Sequence, residues 1–154
     1  STGSIIPYFR KLIKDNNKYL TITHNEMTRF WILLEESVYF VINSLKKMQG
    51  GEIFVPKIPS YKITDVAKAI APQAKIKIIG VRRGEKIDEE LVTSSDSRNT
   101  LESKDCYIIV NDEKLSHYYQ TKFKCKKVKK GFSYNSKDNK FLSINNLRKL
   151  INKA

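Results

Sequence analysis

The sequence predicts an α/β fold, because short apolar stretches with strand character alternate along the chain with segments of helical spacing. Glycine or proline follows several of these segments, as expected where strands and helices end. No internal repeat or low-complexity tract is present. With 154 residues, of which 40% are hydrophobic, the chain is long enough for one domain with a sizeable core.

Five elements are predicted before residue 57. Apolar residues at helical intervals predict a helix over residues 4–14, and alternation predicts a strand over residues 19–23. Residues 30–34 form a second extended apolar stretch. The acidic pair 35–36 then opens a long helix that stops at the glycines 50–51, with one apolar face made of Val38, Val41, Ile42 and Leu45. A strand over residues 52–55 follows and is closed by Pro56.

The second half contains four further elements. We expect a helix over residues 63–70 capped by Thr64, a strand over residues 75–80 that feeds a glycine turn, a strand over residues 105–110, and a terminal helix over residues 143–151. The chain is therefore expected to form a single lobe over residues 1–154. Its parts are a core over residues 1–110, a basic and partly irregular segment over residues 111–140, and the terminal helix over residues 141–154.

The net charge of +13 suggests a polyanionic partner, either nucleic acid or phosphate-bearing small molecules. Only six of the 29 basic residues are arginine, and exposed lysine is tolerated almost anywhere on a surface. Lysine is densest over residues 122–130. A small basic nucleic-acid-binding protein that uses this segment is therefore an alternative, although no reading helix or series of stacking aromatic residues accompanies it.

Cysteine and histidine are too few and too scattered for a metal site. Cys106 and Cys125 are isolated, and only His24 and His117 could join them, so neither zinc nor a disulfide framework is predicted. No apolar run approaches the roughly 20 residues that a membrane span needs, and no signal peptide is present. Reduced thiols in a cytoplasmic protein without a membrane partner are the expectation.

Two arginines have the setting of a phosphate-binding site. Arg29 lies just before an apolar strand that runs into a helix, where a strand end meets a cleft. Arg82 follows a strand that ends at Gly80, and the next residues form a Gly84-Glu85 turn. A guanidinium and a carboxylate projecting from one tight loop suit a diphosphate and a neighbouring hydroxyl.

Other candidates have simpler interpretations. His24 lies in a loop without an adjacent nucleophile, which is typical of a surface histidine rather than a general base. The aromatic residues Trp31, Tyr39 and Phe40 have the spacing of core residues rather than of a base-stacking site. The acidic pair 35–36 is assigned to the helix dipole, since neighbouring helical positions diverge by about 100° and cannot form a dyad.

Both arginines lie within strings that are long and unusual in composition: residues 3–7 (GSIIP), 27–31 (MTRFW), 50–60 (GGEIFVPKIPS), 62–65 (KITD), 69–72 (AIAP) and 82–86 (RRGEK). Through them the chain resembles the extended short-chain dehydrogenase/reductase superfamily. Within it, the resemblance is to the bacterial inverting UDP-N-acetylglucosamine 4,6-dehydratases of surface-polysaccharide and glycan biosynthesis. It covers most of the first 90 residues, with a weaker echo at residues 131–136.

The resemblance implies a C-terminal substrate-binding lobe without most of its Rossmann domain. In such dehydratases NADP oxidises the sugar at carbon 4, water leaves across carbons 5 and 6, and the hydride returns to carbon 6. The N-terminal half carries the glycine fingerprint and the catalytic residues, and none of it is present in this chain. We therefore expect no catalytic, cofactor-binding or metal-binding residues here, and no turnover by the isolated chain. Because the chain begins at Ser1 rather than Met, a fragment or a processed product is expected. A dehydratase half would be a sequence fragment or one product of a split gene.

The resemblance also assigns roles to individual residues. It implies that Arg29 and Arg82 contact the substrate diphosphate, that Glu85 contacts the nucleotide or holds Arg82 in place, and that Ser4 and Pro7 line the cleft from the other side. The implied partners are a UDP-sugar, an N-terminal cofactor half or a complete homologue, and further copies of the intact enzyme in a homo-oligomer.

Three positions depart from the family pattern. Thr2 stands where many relatives have arginine, Arg83 replaces a usual proline, and Asp88 replaces a common histidine. The second departure is expected to loosen the loop that carries Arg82, since proline restricts the backbone. Two related functions also stay open: a fragment of a nucleotide-sugar 4-epimerase, and an assembly partner that docks on a complete dehydratase through exposed apolar surface.

Overall fold

The computed structural model describes residues 5–153 and confirms the α/β class. Its helices are α1 (Ile5–Lys14), α2 (Leu34–Leu45), α3 (Ile63–Ile70), α4 (Glu113–Phe123) and α5 (Ile144–Ile151). Its strands are β1 (Tyr19–Ile22), β2 (Thr28–Phe30), β3 (Ile53–Pro56), β4 (Ser60–Lys62), β5 (Lys75–Ile78), β6 (Glu90–Val92), β7 (Thr100–Glu102), β8 (Cys106–Ile109), β9 (Lys126–Lys127) and β10 (Tyr134–Asn135).

The chain forms two compact units, and each contains segments that are distant in sequence. The first unit contains the residues up to Trp31, the segment Pro59–Glu89 and the residues from Ser136 onward. The second contains Ile32–Ile58 and Glu90–Asn135. The assignment of residues 1–154 to one substrate-binding lobe stays a prediction.

The first unit holds two short strand pairs and three helices. Strands β1 and β5 are parallel, with Tyr19 opposite Lys75 and Ile22 opposite Ile78. Strands β2 and β4 are antiparallel. Helix α3 packs between α1 and α5, and its residues Val66 and Ala67 are buried with Phe9 and Leu147. This core places α1 and the ends of β1 and β2 around one cleft.

Helix α1 confirms the first predicted element. Pro7 is its third residue, where the missing N–H costs no intrahelical hydrogen bond. The helix ends because Asn16 adopts a left-handed conformation with φ of 53°, and the Asn17 N–H then donates to the Leu12 carbonyl. Strand β1 follows almost at once, as the alternation over residues 19–23 predicted.

The second unit is built on an antiparallel sheet in the order β3-β8-β7-β9. Its core contains Leu101, Ile108, Val110 and Tyr119, together with the free and buried cysteines Cys106 and Cys125. The Tyr119 hydroxyl donates a 2.6 Å hydrogen bond to Glu52 Oε1. A carboxylate just before β3 therefore provides a hydrogen-bond partner for the polar group of a fully buried side chain. Burial and this carboxylate raise the pKa of Tyr119.

The extended stretch predicted over residues 30–34 is confirmed at Phe30 and Leu33, which are extended, and is wrong at Leu34, where a helix begins. Strand β2 ends at Phe30, and the Trp31 N–H donates to the Pro59 carbonyl at 2.8 Å. Helix α2 then begins at Leu34, because the Glu36 carboxylate accepts the Leu33 N–H at 3.0 Å and caps the helix start. The dipole role assigned to the acidic pair agrees with this geometry.

Helix α2 differs from its prediction in its end and in its exposed face. It ends at Leu45 rather than at Gly50, since the Glu52 carboxylate accepts the Gly50 N–H at 2.9 Å and holds residues 49–52 in a turn. No residue of α2 is buried, and the apolar face stands 47 to 60% exposed: Val38, Val41, Ile42 and Leu45. The prediction of core packing is also wrong for Tyr39, which is 71% exposed. It is confirmed for Trp31, which is buried, and for Phe40, which packs against the core of the second unit.

Two other predictions are corrected. Thr64 is not the cap of α3: the Ile63 N–H donates to the Met27 carbonyl, so β4 runs straight into the helix and the cap position falls on Lys62. The segment 111–140 contains helix α4, which the apolar pattern did not predict because only Ser116 and Tyr119 are buried on it. Its start was readable in the sequence, since Asp112 accepts the Leu115 N–H at 2.8 Å as an N-cap.

Within residues 5–153, every helix falls short of the length and apolar character needed to cross a bilayer.

Candidate functional site

A cleft of about 700 Å³ opens in the first unit. Its walls come from α1, the end of β1, strands β2 and β4, and the loop that follows β5. Four residues predicted from the sequence line this cleft: Pro7, Arg29, Arg82 and Glu85. Ser4, the fifth, lies outside the described residues. The fold thus brings together side chains from three separate stretches of sequence.

A tight turn presents Arg82 to the cleft. The Glu85 N–H donates to the Arg82 carbonyl at 3.0 Å, and Gly84 has φ of 79°, the conformation that the third position of a type II turn requires. Arg83 occupies the second position, where proline is favoured. The proline that the resemblance leads us to expect at position 83 would therefore fit this turn.

Glu85 fastens this turn at both ends. Its Oε2 accepts the Arg82 N–H at 3.0 Å, and its Oε1 accepts the Thr23 hydroxyl at 3.1 Å at the end of β1. The Arg82 N–H, the Thr23 hydroxyl and the nearby charges of Arg82 and Arg29 hold the pKa of Glu85 below its ordinary value. Of the two roles that the resemblance implied, the geometry favours holding Arg82 in place.

The Arg82 guanidinium is exposed at the cleft and donates no hydrogen bond to another residue in the described part of the chain. Lys11 reaches the same cleft from α1. Helical spacing alone could have placed Lys11 one turn beyond Pro7, but nothing in its local sequence distinguishes it from other surface lysines. Together these side chains bring two exposed positive charges to the cleft.

The Arg29 guanidinium is already engaged in contacts within the protein. Its guanidinium donates to Thr28 O at 2.7 Å, Lys86 O at 2.8 Å, Ile87 O at 3.0 Å and Met27 Sδ at 3.3 Å, and its Nε lies 3.6 Å from Glu89 Oε1. Arg29 therefore ties the backbone of residues 86–87, just after the Arg82 turn, to β2. The thioether sulfur is the weakest of these acceptors.

Glu89 and Ser136 support this arrangement. Glu89 Oε2 accepts the Phe30 N–H at 2.9 Å, and its backbone N–H donates to Ser136 Oγ at 2.9 Å. Ser136, fully buried, also shares a 2.7 Å hydrogen bond with the Thr28 hydroxyl. Sequence reasoning did not select either residue for the site, although Ser136 ends the weaker echo of the family pattern at residues 131–136.

Tyr61 lies directly opposite Arg29 in the β2–β4 pair and lines the cleft. Its ring meets Trp31 edge to face, with centroids 5.5 Å apart. Burial raises the pKa of Tyr61 to about 12, the Glu89 carboxylate adds to the rise, and Arg29 partly opposes it. The hydroxyl is therefore neutral at ordinary pH and can donate a hydrogen bond.

The remaining candidates lie elsewhere. His24 does not line the cleft, and its Nδ1 accepts the Glu26 N–H at 3.2 Å as part of a loop. In the lysine-rich segment, Lys122 donates to the Tyr118 hydroxyl at 2.9 Å and Lys127 lies 3.8 Å from Glu113. The cleft combines cations, a neutral hydroxyl and braced carboxylates, a set suited to binding an anionic ligand that also carries hydroxyl groups.

Comparisons with known proteins point to one group. The profile of a family described as "Polysaccharide biosynthesis protein" matches residues 1–111. The chain is 47% identical over 148 residues to a Campylobacter jejuni protein named UDP-N-acetylglucosamine 4,6-dehydratase (inverting), which covers 90% of this chain and 43% of the relative. This identity confirms the resemblance that the sequence motifs indicated.

Two further relatives extend the match. A Rickettsia akari protein named UDP-glucose 4-epimerase is 36% identical over 156 residues, covering 98% of this chain and 46% of the relative. The X-ray structure of Pen from Bacillus thuringiensis superposes with a TM-score of 0.79 at 31% identity, covering 98% of this chain and 44% of that one. The chain thus spans less than half the length of these relatives.

Proposed function

Because the chain belongs to the family of polysaccharide biosynthesis proteins, we propose that it is the substrate-binding part of a nucleotide-sugar 4,6-dehydratase that acts on UDP-N-acetylglucosamine. The observation that carries the proposal is the cleft of the first unit. There, Pro7, Arg29 and Arg82, which lie in three separate family strings, line one space of a volume suited to a nucleotide-sugar.

In this proposal Arg82 makes the main contact with the diphosphate. Its exposed guanidinium can donate two parallel charge-assisted hydrogen bonds, which fix the orientation of the phosphate as well as its affinity. Glu85 positions Arg82 by holding the turn. Arg29 reaches the ligand through the N–H that now meets the Met27 sulfur, since a phosphate oxygen is the stronger acceptor. Pro7 lines the cleft from α1, and the contact that the resemblance implies for Ser4 stays a prediction.

The cofactor belongs to another part of the complete enzyme. None of the six glycines of this chain stands in the Gly-x-Gly-x-x-Gly spacing of a dinucleotide site, so its residues do not fit NADP by themselves. We assign NADP to the N-terminal half, where it supplies oxidation at carbon 4 of the sugar. The residues of this chain bind the nucleotide-sugar and orient it toward that half.

Exposed apolar surfaces support docking of an N-terminal half or of a complete homologue. In the first unit, β1 and β5 form a two-stranded parallel pair, although parallel strands normally lie buried within a larger sheet. Tyr19, Ile78 and Ile79 on or beside this pair are 44 to 55% exposed. In the second unit, the apolar face of α2 is exposed. We infer that both surfaces are covered in the intact enzyme, which we place in the cytoplasm as a homo-oligomer.

A 4-epimerase fragment is the second candidate, favoured by the 36% identity to the Rickettsia akari relative over 98% of this chain. Both named activities use a UDP-sugar, so the same cleft serves either. The difference between them rests with acid and base residues of the N-terminal half. Product analysis of the reconstituted enzyme separates the two: loss of water indicates the dehydratase, whereas inversion at carbon 4 without loss of water indicates the epimerase.

Calorimetric titration of UDP-N-acetylglucosamine tests the proposal. The chain is titrated alone and together with the N-terminal cofactor half of a related dehydratase. We expect binding that appears or tightens when the half is added, followed by formation of 4-keto product. Product from the chain alone would contradict the assignment of the cofactor to the other half. The absence of binding in both cases, with the chain folded, would overturn the proposed function.

A further inference from the structure

We propose that the Tyr61 hydroxyl donates a hydrogen bond to a phosphate oxygen of the nucleotide-sugar held in the cleft, and so acts as a specificity-determining residue. The inference rests on the proposed function and goes beyond the two arginines and Glu85, which the family pattern suggested.

The first support is the position of the side chain. Strands β2 and β4 pair Arg29 with Tyr61, and directly opposite residues of an antiparallel pair project from the same face of the sheet. Both residues line the cleft, and the edge-to-face contact with the buried Trp31 limits the rotation of the Tyr61 ring. The hydroxyl is thus held on the same face of the strand pair as the Arg29 side chain, at little further entropic cost.

The second support is the hydroxyl's lack of a partner. Tyr61 makes no hydrogen bond to another residue in the described part of the chain, although the Glu89 carboxylate is close enough to affect it. The Glu89 oxygens are already engaged, one by the Phe30 N–H and the other by Arg29. Among the described residues, the only fully enclosed side-chain polar atom without a partner is Trp31 Nε1, so the Tyr61 hydroxyl keeps some exposure on a residue that lines the cleft.

The third support is the chemistry of the surroundings. A neutral hydroxyl beside Arg29 is well placed to donate to an anionic oxygen, because the guanidinium attracts the anion and the phenol adds a directed hydrogen bond. A phenol is already protonated at neutral pH, and burial and the Glu89 carboxylate raise the pKa of Tyr61 further, to about 12. Phosphate oxygens are the anionic acceptors that a nucleotide-sugar offers.

The test compares the full chain with its Tyr61→Phe variant by calorimetric titration of UDP and of uridine, which has the same base and ribose but no phosphate. Phenylalanine keeps the ring and its contact with Trp31, and a thermal melt followed by circular dichroism verifies that the variant is folded. Tyr39→Phe is the matched control, since Tyr39 is exposed on α2 and is not among the residues that line the cleft. We expect Tyr61→Phe to weaken UDP binding by about tenfold or more and to leave the affinity for uridine unchanged. Tyr39→Phe should leave the affinity for UDP unchanged.

Each other outcome overturns a specific statement. Equal UDP affinity of the unmodified chain and Tyr61→Phe would overturn the inference while leaving the proposed function intact. Equal loss of UDP and uridine affinity would overturn the phosphate as the acceptor. No UDP binding by the unmodified chain, alone or with the cofactor half, would overturn the proposed function itself, and the inference with it.

Discussion

The two cleft arginines differ in what already holds them. Within residues 5–153, the hydrogen bonds of Arg82 are made by its backbone: the Glu85 carboxylate accepts its N–H, and the Glu85 N–H donates to its carbonyl. Arg29 uses its guanidinium to hold the carbonyls of residues 86 and 87. Removal of Arg82 should therefore affect the ligand, whereas removal of Arg29 should affect the protein as well.

Arg82→Ala is expected to weaken UDP-N-acetylglucosamine binding by about 1.5–3 kcal/mol, the usual value of hydrogen bonds to a charged group, without changing the unfolding temperature. The matched control is Arg83→Ala. It removes an equal charge at the next residue, whose side chain does not line the cleft. Calorimetric titration with the N-terminal half present gives both affinities. Equal losses in the two variants would mean that general charge, rather than a directed contact, attracts the ligand.

Arg29→Ala should lower the free energy of unfolding by about 2–3 kcal/mol, because three backbone carbonyls each lose one hydrogen bond and the Glu89 carboxylate loses its ion pair in a partly buried place. Guanidinium chloride titration measures this loss. Arg10→Ala, which removes a single 2.8 Å hydrogen bond to the Ile151 carbonyl, is the comparison and should cost less. A stability equal to that of the unmodified chain would contradict the bracing role of Arg29.

Among the helices, α2 is the one whose sequence and packing disagree most. Its apolar residues recur at helical spacing, yet the side that faces the second unit is formed by half-buried residues such as Ser37, Phe40 and Ser44. Phe40 contacts the core cluster, and Glu36 caps the helix start. A helix that keeps its more apolar face exposed is typical of a surface that another protein segment covers.

The double substitution Val41→Gln and Leu45→Gln is expected to reduce self-association of the isolated chain while changing its stability by less than about 0.5 kcal/mol, since both side chains are more than half exposed. Sedimentation velocity reports the association. Phe40→Ala is the contrasting variant and should lose about 3 kcal/mol, because Phe40 packs against the core of the second unit. Unchanged self-association of the double variant would show that the exposed face of α2 is not the surface through which the chain associates.

For the whole molecule, the tyrosines link stability to alkaline pH. The pKa of Tyr61 is raised to about 12 and that of Tyr119 is also raised, in both cases chiefly by burial. Groups whose folded pKa lies above the unfolded value of about 10 contribute stability that is complete below pH 10 and is lost as the pH rises toward 12. We expect denaturant midpoints to fall steeply over this range.

Denaturant titrations at several pH values measure that slope, from about pH 9, which lies below the unfolded tyrosine pKa, to about pH 12, the folded pKa of Tyr61. Tyr61→Phe should flatten it, since one of the shifted groups is gone, and Tyr39→Phe, at a side chain that is 71% exposed, is the matched control. The same slope in both variants would show that Tyr61 does not titrate abnormally.

Several features could be read from the sequence because their causes are local. The run of apolar residues at helical intervals and the early proline placed α1, and Gly80, Gly84 and Glu85 marked the turn that presents Arg82. The end of β2 at Phe30 and the missing cap at Thr64 could not be read in this way. Both depend on hydrogen bonds to distant backbone, from Trp31 to Pro59 and from Ile63 to Met27.

By itself, the sequence determined the family, the α/β class and the residues of the Arg82 turn, because long motif strings and turn glycines are properties of neighbouring residues. Only the tertiary structure decided that Arg29 is held by residues 86–87, that Tyr61 stands opposite it, and that the apolar face of α2 is exposed. The physical reason is that strand register and burial depend on which distant segments meet, and hydrophobic periodicity gives a helix its apolar face without specifying what covers it.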